Sequence, residues 1–215
     1  MKQEGVLIVV SGFAGTGKGT LMKRLLTDYD NYALSVSMTT RNPRPGETDG
    51  KEYFFVTREK LEEEIAQEGL IEHACYIGNY YGTPRRYVEE KRREGKDVIL
   101  EIEVQGALKI KERFPDAVLI FVMPPSAKEL FSRLSGRGTE TSEVIMQRMK
   151  RAAEEAEMIE KYDYIVINDD LDCCVKQLHG IICSAHAAPG RNKKFISKIR
   201  QELTEITEDP ELTSK

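Results

Sequence analysis

The 215-residue sequence has no long apolar run, few cysteines and no excess of positive charge. No apolar stretch approaches the ~18–20 residues that a bilayer-spanning helix requires, which excludes a membrane-embedded protein. The N-terminal residues lead into an apolar run at 6–10, which is too short for the hydrophobic part of a signal peptide. We therefore expect a cytoplasmic protein without a membrane partner.

The four cysteines form no CxxC pair, and two of them, Cys173 and Cys174, are adjacent. Hydrophobic residues make up 40% of the chain, so a sizeable core is available without disulfides, and we expect free thiols. Lys and Arg total 32 against 36 Asp and Glu, giving a net charge of −4. Proteins whose main partner is nucleic acid usually show the opposite balance, so we expect no nucleic-acid partner.

Short apolar runs alternate with longer amphipathic stretches along most of the chain. The runs at 6–10, 98–104, 118–122 and 164–167 predict core strands. The apolar positions between 145 and 159 recur at helical spacing, as they do in the other intervening stretches. Alternation of this kind is typical of an α/β fold, with a parallel sheet that carries helices on both faces.

Two segments interrupt this pattern. Residues 35–90 contain prolines, glycines and clustered aromatic residues, which predict a small mixed α+β insertion. The C-terminal tail has five bases and no acids in 191–200, then five acids and no bases in 202–211. We interpret the tail as a surface helix that ends in a disordered segment, with a docking element as the alternative.

A glycine-rich motif directly follows the first predicted strand and opens a predicted helix. It fits GxxxxGK, whose backbone N–H groups and helix N-terminus converge on phosphate oxygens, while Lys18 adds a full charge. Gly19 replaces the usual Ser or Thr after the lysine, so Thr20 is the nearest hydroxyl for a phosphate or a metal-bound water. The alternative is a glycine-rich turn with a surface lysine. The predicted triphosphate-binding residues are Gly12, Phe13, Ala14, Gly15, Thr16, Gly17, Lys18, Gly19 and Thr20.

The insertion carries residues suited to a phosphorylated acceptor. Arg41 and Arg44 lie three apart on a proline-stiffened segment, and arginine suits bidentate phosphate recognition. Tyr53 and Tyr81 offer phenolic donors, and Glu72 stands in an apolar context. Taken singly, each of these residues has an ordinary alternative interpretation. The arginines could belong to a surface loop, Glu72 could be a solvated or ion-paired acid, and the tyrosines could be packing residues.

Taken together, these motifs resemble the guanylate kinase family over about residues 5–185. The Gly-Lys-Gly-Thr form of the phosphate motif is similar to that of nucleoside monophosphate kinases. The other matches are SxSxTTRxPRxGE at 35–47, DGKEY at 49–53, IE at 71–72, GNYYGT at 78–83, LSGRGTE at 134–140 and ND at 168–169. The resemblance implies the P-loop nucleoside monophosphate kinase fold and phosphorylation of GMP and dGMP by ATP. It also implies Mg²⁺, held mainly by phosphates and water, with Thr20 as a weak candidate ligand.

The resemblance also implies residue roles in the acceptor site. Arg41, Arg44, Tyr53 and Tyr81 would hold the GMP phosphate. Ser37, Glu72 and Thr83 would read guanine. The chemistry agrees, because guanine N1–H and its exocyclic amine are adjacent donors to one carboxylate, whereas adenine has an acceptor at N1. We expect Glu101 and Glu103 on one face of a core strand, with Glu103 facing the acceptor site or the metal.

For the transfer step, the resemblance implies a catalytic set in a lid and in the two binding regions. Its members are Lys18, Arg41, Arg133, Arg137 and Arg148. The last three would lie in a lid that closes over the ATP phosphates. Asn168 would contact adenine or support the phosphate loop. We interpret Lys150 and Arg151 as a solvated helix face.

The resulting division of the chain has four parts. The nucleotide-binding core comprises 1–34, 91–125 and 158–188, the GMP-binding region 35–90, the lid 126–157 and the charged tail 189–215.

One alternative function is a non-catalytic guanylate-kinase-like scaffold module, which lacks a working phosphate loop and lid arginines. Another is a kinase of a different phosphate acceptor such as a ribose bisphosphate, which Glu72, Ser37 and Thr83 argue against. We expect a monomer or homodimer.

Overall fold

The computed structural model of the protein describes residues 4–76, 78–136 and 141–208. Its strands are β1 (Leu7–Gly12), β2 (Tyr32–Leu34), β3 (Met38–Thr39), β4 (Phe54–Phe55), β5 (Leu70–Tyr76), β6 (Asn79–Pro84), β7 (Asp97–Glu101), β8 (Val118–Met123) and β9 (Tyr164–Ile167). Its helices are α1 (Lys18–Asp28), α2 (Arg58–Ala66), α3 (Arg85–Arg93), α4 (Val104–Arg113), α5 (Ala127–Ser135), α6 (Ser142–Ala156), α7 (Leu171–His186) and α8 (Lys193–Glu208). Short 3₁₀ turns occupy Ile159–Lys161 and Pro189–Asn192.

Five strands form a parallel sheet in the order β2, β7, β1, β8, β9. Side chains of the central strand β1 alternate between two cores. Leu7 and Val9 belong to the core that includes residues of α4, α5 and α6, whereas Ile8 and Val10 belong to the core with α1 and α7. Burial on both faces explains the continuous apolar run, and the prediction of a parallel sheet flanked by helices is confirmed.

The insertion forms a second sheet in the order β4, β3, β6, β5. Strands β5 and β6 form an antiparallel hairpin, and β3 pairs antiparallel with β6 and parallel with β4. Thr57 caps α2 by accepting a hydrogen bond from the Lys60 amide at 3.2 Å. Met38, Leu61 and Leu70 form a small core of this region. The prediction of a mixed α+β insertion is confirmed.

One predicted strand is shorter than the apolar pattern suggests. Strand β7 ends at Glu101, and Glu103 is the N-cap of α4, where its carboxylate accepts from the amides of Gln105 at 3.0 Å and Gly106 at 2.8 Å. The expectation that Glu101 and Glu103 share one face of a strand is therefore wrong. The end of β7 nevertheless lies at the same sheet edge as the loop after β1, because the two strands are parallel neighbours.

Residues Lys193–Glu208 form a helix that buries none of its side chains. This helix, α8, confirms the helical part of the tail prediction. The disordered end predicted beyond it falls largely on 209–215, outside the described residues. All four cysteines are free thiols, as expected. No helix in the described ranges is long and apolar enough to cross a membrane.

Candidate active site

Two glycines in left-handed conformations shape the loop between β1 and α1. Gly15 has a φ of 92° and Gly17 a φ of 84°. A Cβ at Gly17 would lie 2.8 Å from Nδ2 of Asn168, and one at Gly15 would lie 2.9 Å from the Leu134 side chain. Both positions therefore require glycine for backbone conformation and for close packing. Since Gly17 is also the N-cap of α1, the loop brings a helix N-terminus to the site.

Buried polar groups hold this loop in place. Thr16 is fully buried, and its Oγ1 donates to the Phe13 carbonyl at 3.0 Å. Asn168, just after β9, is also buried and donates its Nδ2 to the Thr16 carbonyl at 2.7 Å. This contact matches the second of the two roles expected for Asn168. Phe13 is a core residue, whose ring packs edge-on against Phe121 at 5.0 Å between centroids.

Lys18 begins α1, and its ammonium lies against the loop backbone. Its Nζ donates to the carbonyls of Gly12 at 2.7 Å and Phe13 at 3.1 Å. These acceptors are neutral, so a phosphate oxygen would make a stronger, charge-assisted bond with the same ammonium. Gly19 and Thr20 are exposed on the first turn of the helix.

A cleft of about 380 Å³ opens beside this loop and brings the insertion and α6 together with it. This volume lies in the range of small-molecule sites. The predicted site residues that line the cleft are Gly12, Ala14, Lys18, Ser37, Arg41, Arg44, Tyr53, Glu72, Tyr81, Glu103 and Arg148. Six lining residues had no role assigned from the sequence: Glu47, Ala74, Glu101, Ile102, Arg151 and Glu155.

Glu47 fixes the orientation of Arg41. The two side chains form a bidentate ion pair, with NH1 and NH2 of Arg41 2.9 and 3.0 Å from the two carboxylate oxygens. The same carboxylate accepts from the Arg44 amide at 2.7 Å. The Arg41 guanidinium holds the pKa of the Glu47 carboxyl below its ordinary value. The sequence signal for this pair was the acid that closes the motif at 35–47.

Aromatic rings also lie close to the Arg41 guanidinium. Its guanidinium carbon lies 5.3 Å from the ring centroid of Tyr53 and 5.8 Å from that of Phe55. Tyr53 and Tyr81 pack edge-on at 5.9 Å. Burial raises the pKa of Tyr53, so this hydroxyl stays a donor at neutral pH. The arrangement is a cationic, hydroxyl-lined wall suited to a phosphate.

Glu72 on β5 is a buried carboxylate that accepts one hydrogen bond from the described part of the chain. It is 5% exposed, and Oγ1 of Thr83 on β6 donates to its Oε1 at 2.8 Å. Burial, with a smaller contribution from the negative charge of Glu103, raises the pKa of Glu72 to about 7, against the Thr83 hydrogen bond, which lowers it. A buried carboxylate whose pKa lies near neutral pH lacks hydrogen bonds to its charged form. It therefore suits a ligand that brings hydrogen-bond donors. Ser37, just before β3, lines the same cleft.

Glu101 stands at the carboxyl end of β7, on the side of the cleft that contains Lys18. Its desolvation in the cleft raises the pKa of this carboxyl, and the Lys18 charge opposes the rise. Glu103 lies 4.0 Å from Arg151 of α6, and its charge acts on Glu72. The two acids therefore face different parts of the cleft, because the chain turns into α4 between them.

Helix α6 presents three charged side chains to the cleft at positions i, i+3 and i+7: Arg148, Arg151 and Glu155. Arg151 donates its Nε to Glu155 at 2.9 Å, and its NH2 lies 4.0 Å from Glu103. Arg151 is thus partly solvated, as expected, but it also lines the cleft, whereas Lys150 is exposed and does not line it. The spacing from Arg148 was the signal that places Arg151 on the same face.

The remaining predicted arginines are Arg133 and Arg137. Arg133 on α5 pairs with Glu129 one turn earlier at 2.8 Å and is absent from the residues that line the cleft in the described chain. Arg137 lies outside the described residues. None of the three histidines lines the cleft, and Nε2 of His186, for example, lies 2.8 Å from the Asp97 carboxylate at the amino end of β7.

Within the described ranges, no group of three or more His, Cys, Asp or Glu side chains could hold a metal ion. The Glu101 carboxylate feels the Lys18 charge, and the Thr20 hydroxyl stands two residues after Lys18 on the first turn of α1. Such hard oxygen ligands suit Mg²⁺, which usually keeps several waters and binds through one or two protein groups and substrate phosphates. The residues present therefore fit a nucleotide-borne Mg²⁺.

A sequence model described as guanylate kinase matches residues 4–185. A guanylate kinase of Halalkalibacterium halodurans is 54% identical over 205 residues, which cover 95% of this chain and 98% of the relative. One from Caldanaerobacter subterraneus subsp. tengcongensis is 47% identical over 202 residues, covering 94% and 98%. A crystal structure of guanylate kinase from Anaplasma phagocytophilum superposes with a TM-score of 0.73 at 36% identity, covering 88% of this chain and 90% of that one.

Proposed function

The chain belongs to the guanylate kinase family, and from that premise we propose that its cleft transfers the terminal phosphoryl group of ATP to GMP or dGMP. The observation that carries this proposal is the shared cleft. The phosphate loop with Lys18 stands on one side, and the buried carboxylate of Glu72 with Arg41 stands on the other. A phosphate donor and a donor-rich base can thus meet in one enclosure.

On the donor side, the loop amides and the N-terminus of α1 bind the triphosphate, and Lys18 exchanges its two carbonyl acceptors for phosphate oxygens. Asn168 acts through Thr16 to keep the loop in this shape, which makes it a positioning residue. Mg²⁺ neutralises phosphate charge when it is bound with ATP. Thr20 and Glu101 would supply it with oxygen ligands, directly or through water.

On the acceptor side, Arg41, Arg44, Tyr53 and Tyr81 bind the GMP phosphate. Glu47 holds the Arg41 guanidinium in the wall of the cleft, which both side chains line. Pre-formed orientation of this kind lowers the entropic cost of aligning the two substrates, an effect worth up to ~7–11 kcal/mol in well-oriented reactions. Glu47 is therefore proposed as a positioning residue for Arg41.

The base is read by Glu72, Thr83 and Ser37. The ionised Glu72 carboxylate accepts from guanine N1–H and from the exocyclic amine, while Thr83 donates to one of its oxygens. Guanine donors thus supply the hydrogen bonds that water supplies to an exposed carboxylate. With adenine the carboxylate would face a lone pair and stay desolvated, which disfavours AMP.

Each region of the chain then has its own part in substrate binding and transfer. The core, 1–34, 91–125 and 158–188, holds ATP. The insertion, 35–90, holds GMP, and the lid, 126–157, closes over the phosphates. Arg148 and Arg151 of α6 supply positive charge to the transfer, together with Lys18, because phosphoryl transfer depends on positioning and charge stabilisation more than on covalent chemistry. Roles for Arg133, Arg137 and Glu103, and a cytoplasmic location, stay predictions.

Product analysis tests the proposed function. Incubating the full chain with ATP, Mg²⁺ and GMP should yield ADP and GDP in equal amounts, and dGMP should yield dGDP. A non-catalytic scaffold module would form neither product. A kinase of a ribose bisphosphate would consume ATP with that sugar and leave GMP unchanged, which would overturn the proposal.

A further inference from the structure

A glycine stands in the first turn of α4, beside the carboxylate proposed to read the base. Gly106 is the third residue of this helix and is buried. Glycine within a helix is destabilising relative to alanine, because it loses more conformational freedom on folding. The Gly106 amide donates to the Glu103 carboxylate at 2.8 Å, but any residue other than proline could supply that donor. Neither the helix nor its cap therefore explains a glycine at this position.

The volume that a side chain would need at this position belongs to the wall of the cleft. An added Cβ would lie 3.2 Å from Oε2 of Glu72, 3.3 Å from Cδ1 of Ile102 and 3.6 Å from Oε1 of Glu103, and all three residues line the cleft. The first two distances are closer than real Cβ atoms usually come to their neighbours. A methyl group would therefore press on the Glu72 carboxylate and on Ile102, unless one of them moved.

The Glu72 carboxylate has little freedom to move aside. It is 5% exposed, and Oγ1 of Thr83 donates to its Oε1 at 2.8 Å. The strand that carries it, β5, is also tied to α4. Arg113, the last residue of α4, donates to the Ile71 carbonyl at 2.8 Å, and Ile71 and Ala107 belong to one core. Because Oε1 is held and the two elements are held together, an added methyl would turn the carboxylate and shift Oε2.

Reading guanine requires both oxygens of this carboxylate. In the proposed function, guanine N1–H and the exocyclic amine are adjacent donors, and each needs an oxygen at hydrogen-bond distance and in line with its N–H. Hydrogen bonds weaken steeply as this alignment is lost. A turn that shifts Oε2 of Glu72 while Oε1 stays bound to Thr83 would therefore misalign at least one of the two bonds.

We propose that Gly106 is a positioning residue for base recognition: its missing side chain leaves Oε2 of Glu72 the space in which the carboxylate matches the guanine edge. The residue acts through Glu72 and need not touch the substrate. This inference rests on the proposed function and adds to it a residue of α4, which lies outside the GMP-binding insertion. The step that depends on Gly106 is then GMP binding, and ATP binding and phosphoryl transfer do not.

Steady-state kinetics of Gly106→Ala test the positioning role. KM for GMP should rise roughly tenfold, the effect of weakening one charge-assisted hydrogen bond. Both kcat and KM for ATP should stay within about twofold of the parent values. The matched control Gly180→Ala makes the same change within α7, where an added Cβ meets open space in the described chain, and it should alter none of these constants. Circular dichroism and urea unfolding check that both variants keep the fold.

A double variant separates a role through Glu72 from a general effect on the helix. In Glu72→Ala the added methyl has no carboxylate to displace, so introducing Gly106→Ala there should change KM for GMP by no more than about twofold. A rise as large as in the parent background would show that the methyl acts by another route, and would overturn the inference. An unchanged KM for GMP in Gly106→Ala, or loss of its fold, would also overturn the inference, while GDP formation by the parent would leave the proposed function standing. A parent that forms no GDP would overturn both.

Discussion

The Glu72 carboxylate is proposed to favour GMP binding but to cost folding stability, and the substitution Glu72→Gln separates these two effects. The ionised side chain is proposed to read guanine, yet its burial makes that same charge costly in the unliganded protein. Gln has nearly the same shape and can still accept the Thr83 hydrogen bond that measures 2.8 Å to the carboxylate. We therefore expect the variant to gain stability and to lose GMP efficiency.

The stability change follows from the pKa of about 7, compared with an ordinary value of 4.5. The folded state binds this proton more tightly than the unfolded state does. Its stabilising contribution is therefore fully present below pH 4.5, falls as the pH rises, and is lost above about pH 7. The difference corresponds to roughly 3 kcal/mol. Glu72→Gln should thus raise the unfolding free energy at pH 8 by up to about 3 kcal/mol, and by little at pH 4.5.

The catalytic change has the opposite sign. The amide can accept one guanine bond, but its nitrogen opposes the second guanine donor. Losing a charge-assisted bond and leaving a buried donor unpaired should cost roughly 2–4 kcal/mol, or about 30- to 1000-fold in kcat/KM for GMP. ATP affinity should stay near the parent value. In the parent, KM for GMP should rise about tenfold between pH 8 and pH 6, because protonation of Glu72 competes with guanine binding.

Urea unfolding at pH 5 and pH 8 and a coupled assay of ADP formation measure the two effects. The pH dependence is best taken as the ratio of variant to parent, because both enzymes share the ionisation of the GMP phosphate. Glu62→Gln, an exposed acid on α2, is a matched control expected to change neither quantity appreciably. An unaltered GMP efficiency in Glu72→Gln would refute the reasoning and move the base reader elsewhere, with Glu103 the next candidate.

Lys18→Ala should keep the fold and lower phosphoryl transfer by several orders of magnitude, because a charge that stabilises the transition state is lost; activity within about tenfold of the parent in the coupled assay would contradict the phosphate-loop assignment. Ending the chain at Asn192 should leave kcat and KM nearly unchanged, since no assigned residue follows it, and a large loss in a folded truncation would show that α8 reaches the site. Glu47→Gln should raise KM for GMP several-fold and leave KM for ATP alone, because Arg41 loses its bidentate partner; equal effects on both substrates would indicate a general structural role. Arg151→Ala should lower kcat more than it raises either KM, and an unchanged kcat would show that this side chain takes no part in phosphoryl transfer.

Local motifs were the part of the site most readable from the sequence. The GxxxxGK spacing lies within one strand, loop and helix start, so the phosphate loop could be placed without knowing the rest of the fold. The acceptor residues come from a distant segment. Their grouping around Glu72 and Arg41 was inferred from a resemblance, and no periodicity in the chain encodes it.

The misplacements have identifiable physical causes. The alternation of Leu100, Ile102 and Val104 mimics a continuing strand, and Glu103 is not among the preferred N-cap residues, so the start of α4 gave little local signal. The place of Arg151 in the cleft was missed because helical spacing shows which residues share a face but not which face meets the cleft. The pairing of Glu47 with Arg41 depends on the turn between them, which the motif alone does not specify.

The central claim is that the cleft phosphorylates guanine nucleotides because a buried carboxylate reads the base. The most direct test is the ratio of kcat/KM for GMP to that for AMP, measured with saturating ATP and Mg²⁺ on the full chain. Sites built to hydrogen-bond a substrate group can reject analogues that lack it by ~10⁴–10⁵, and we predict a ratio of that order for the parent. Comparable kcat/KM values for GMP and AMP would contradict the account.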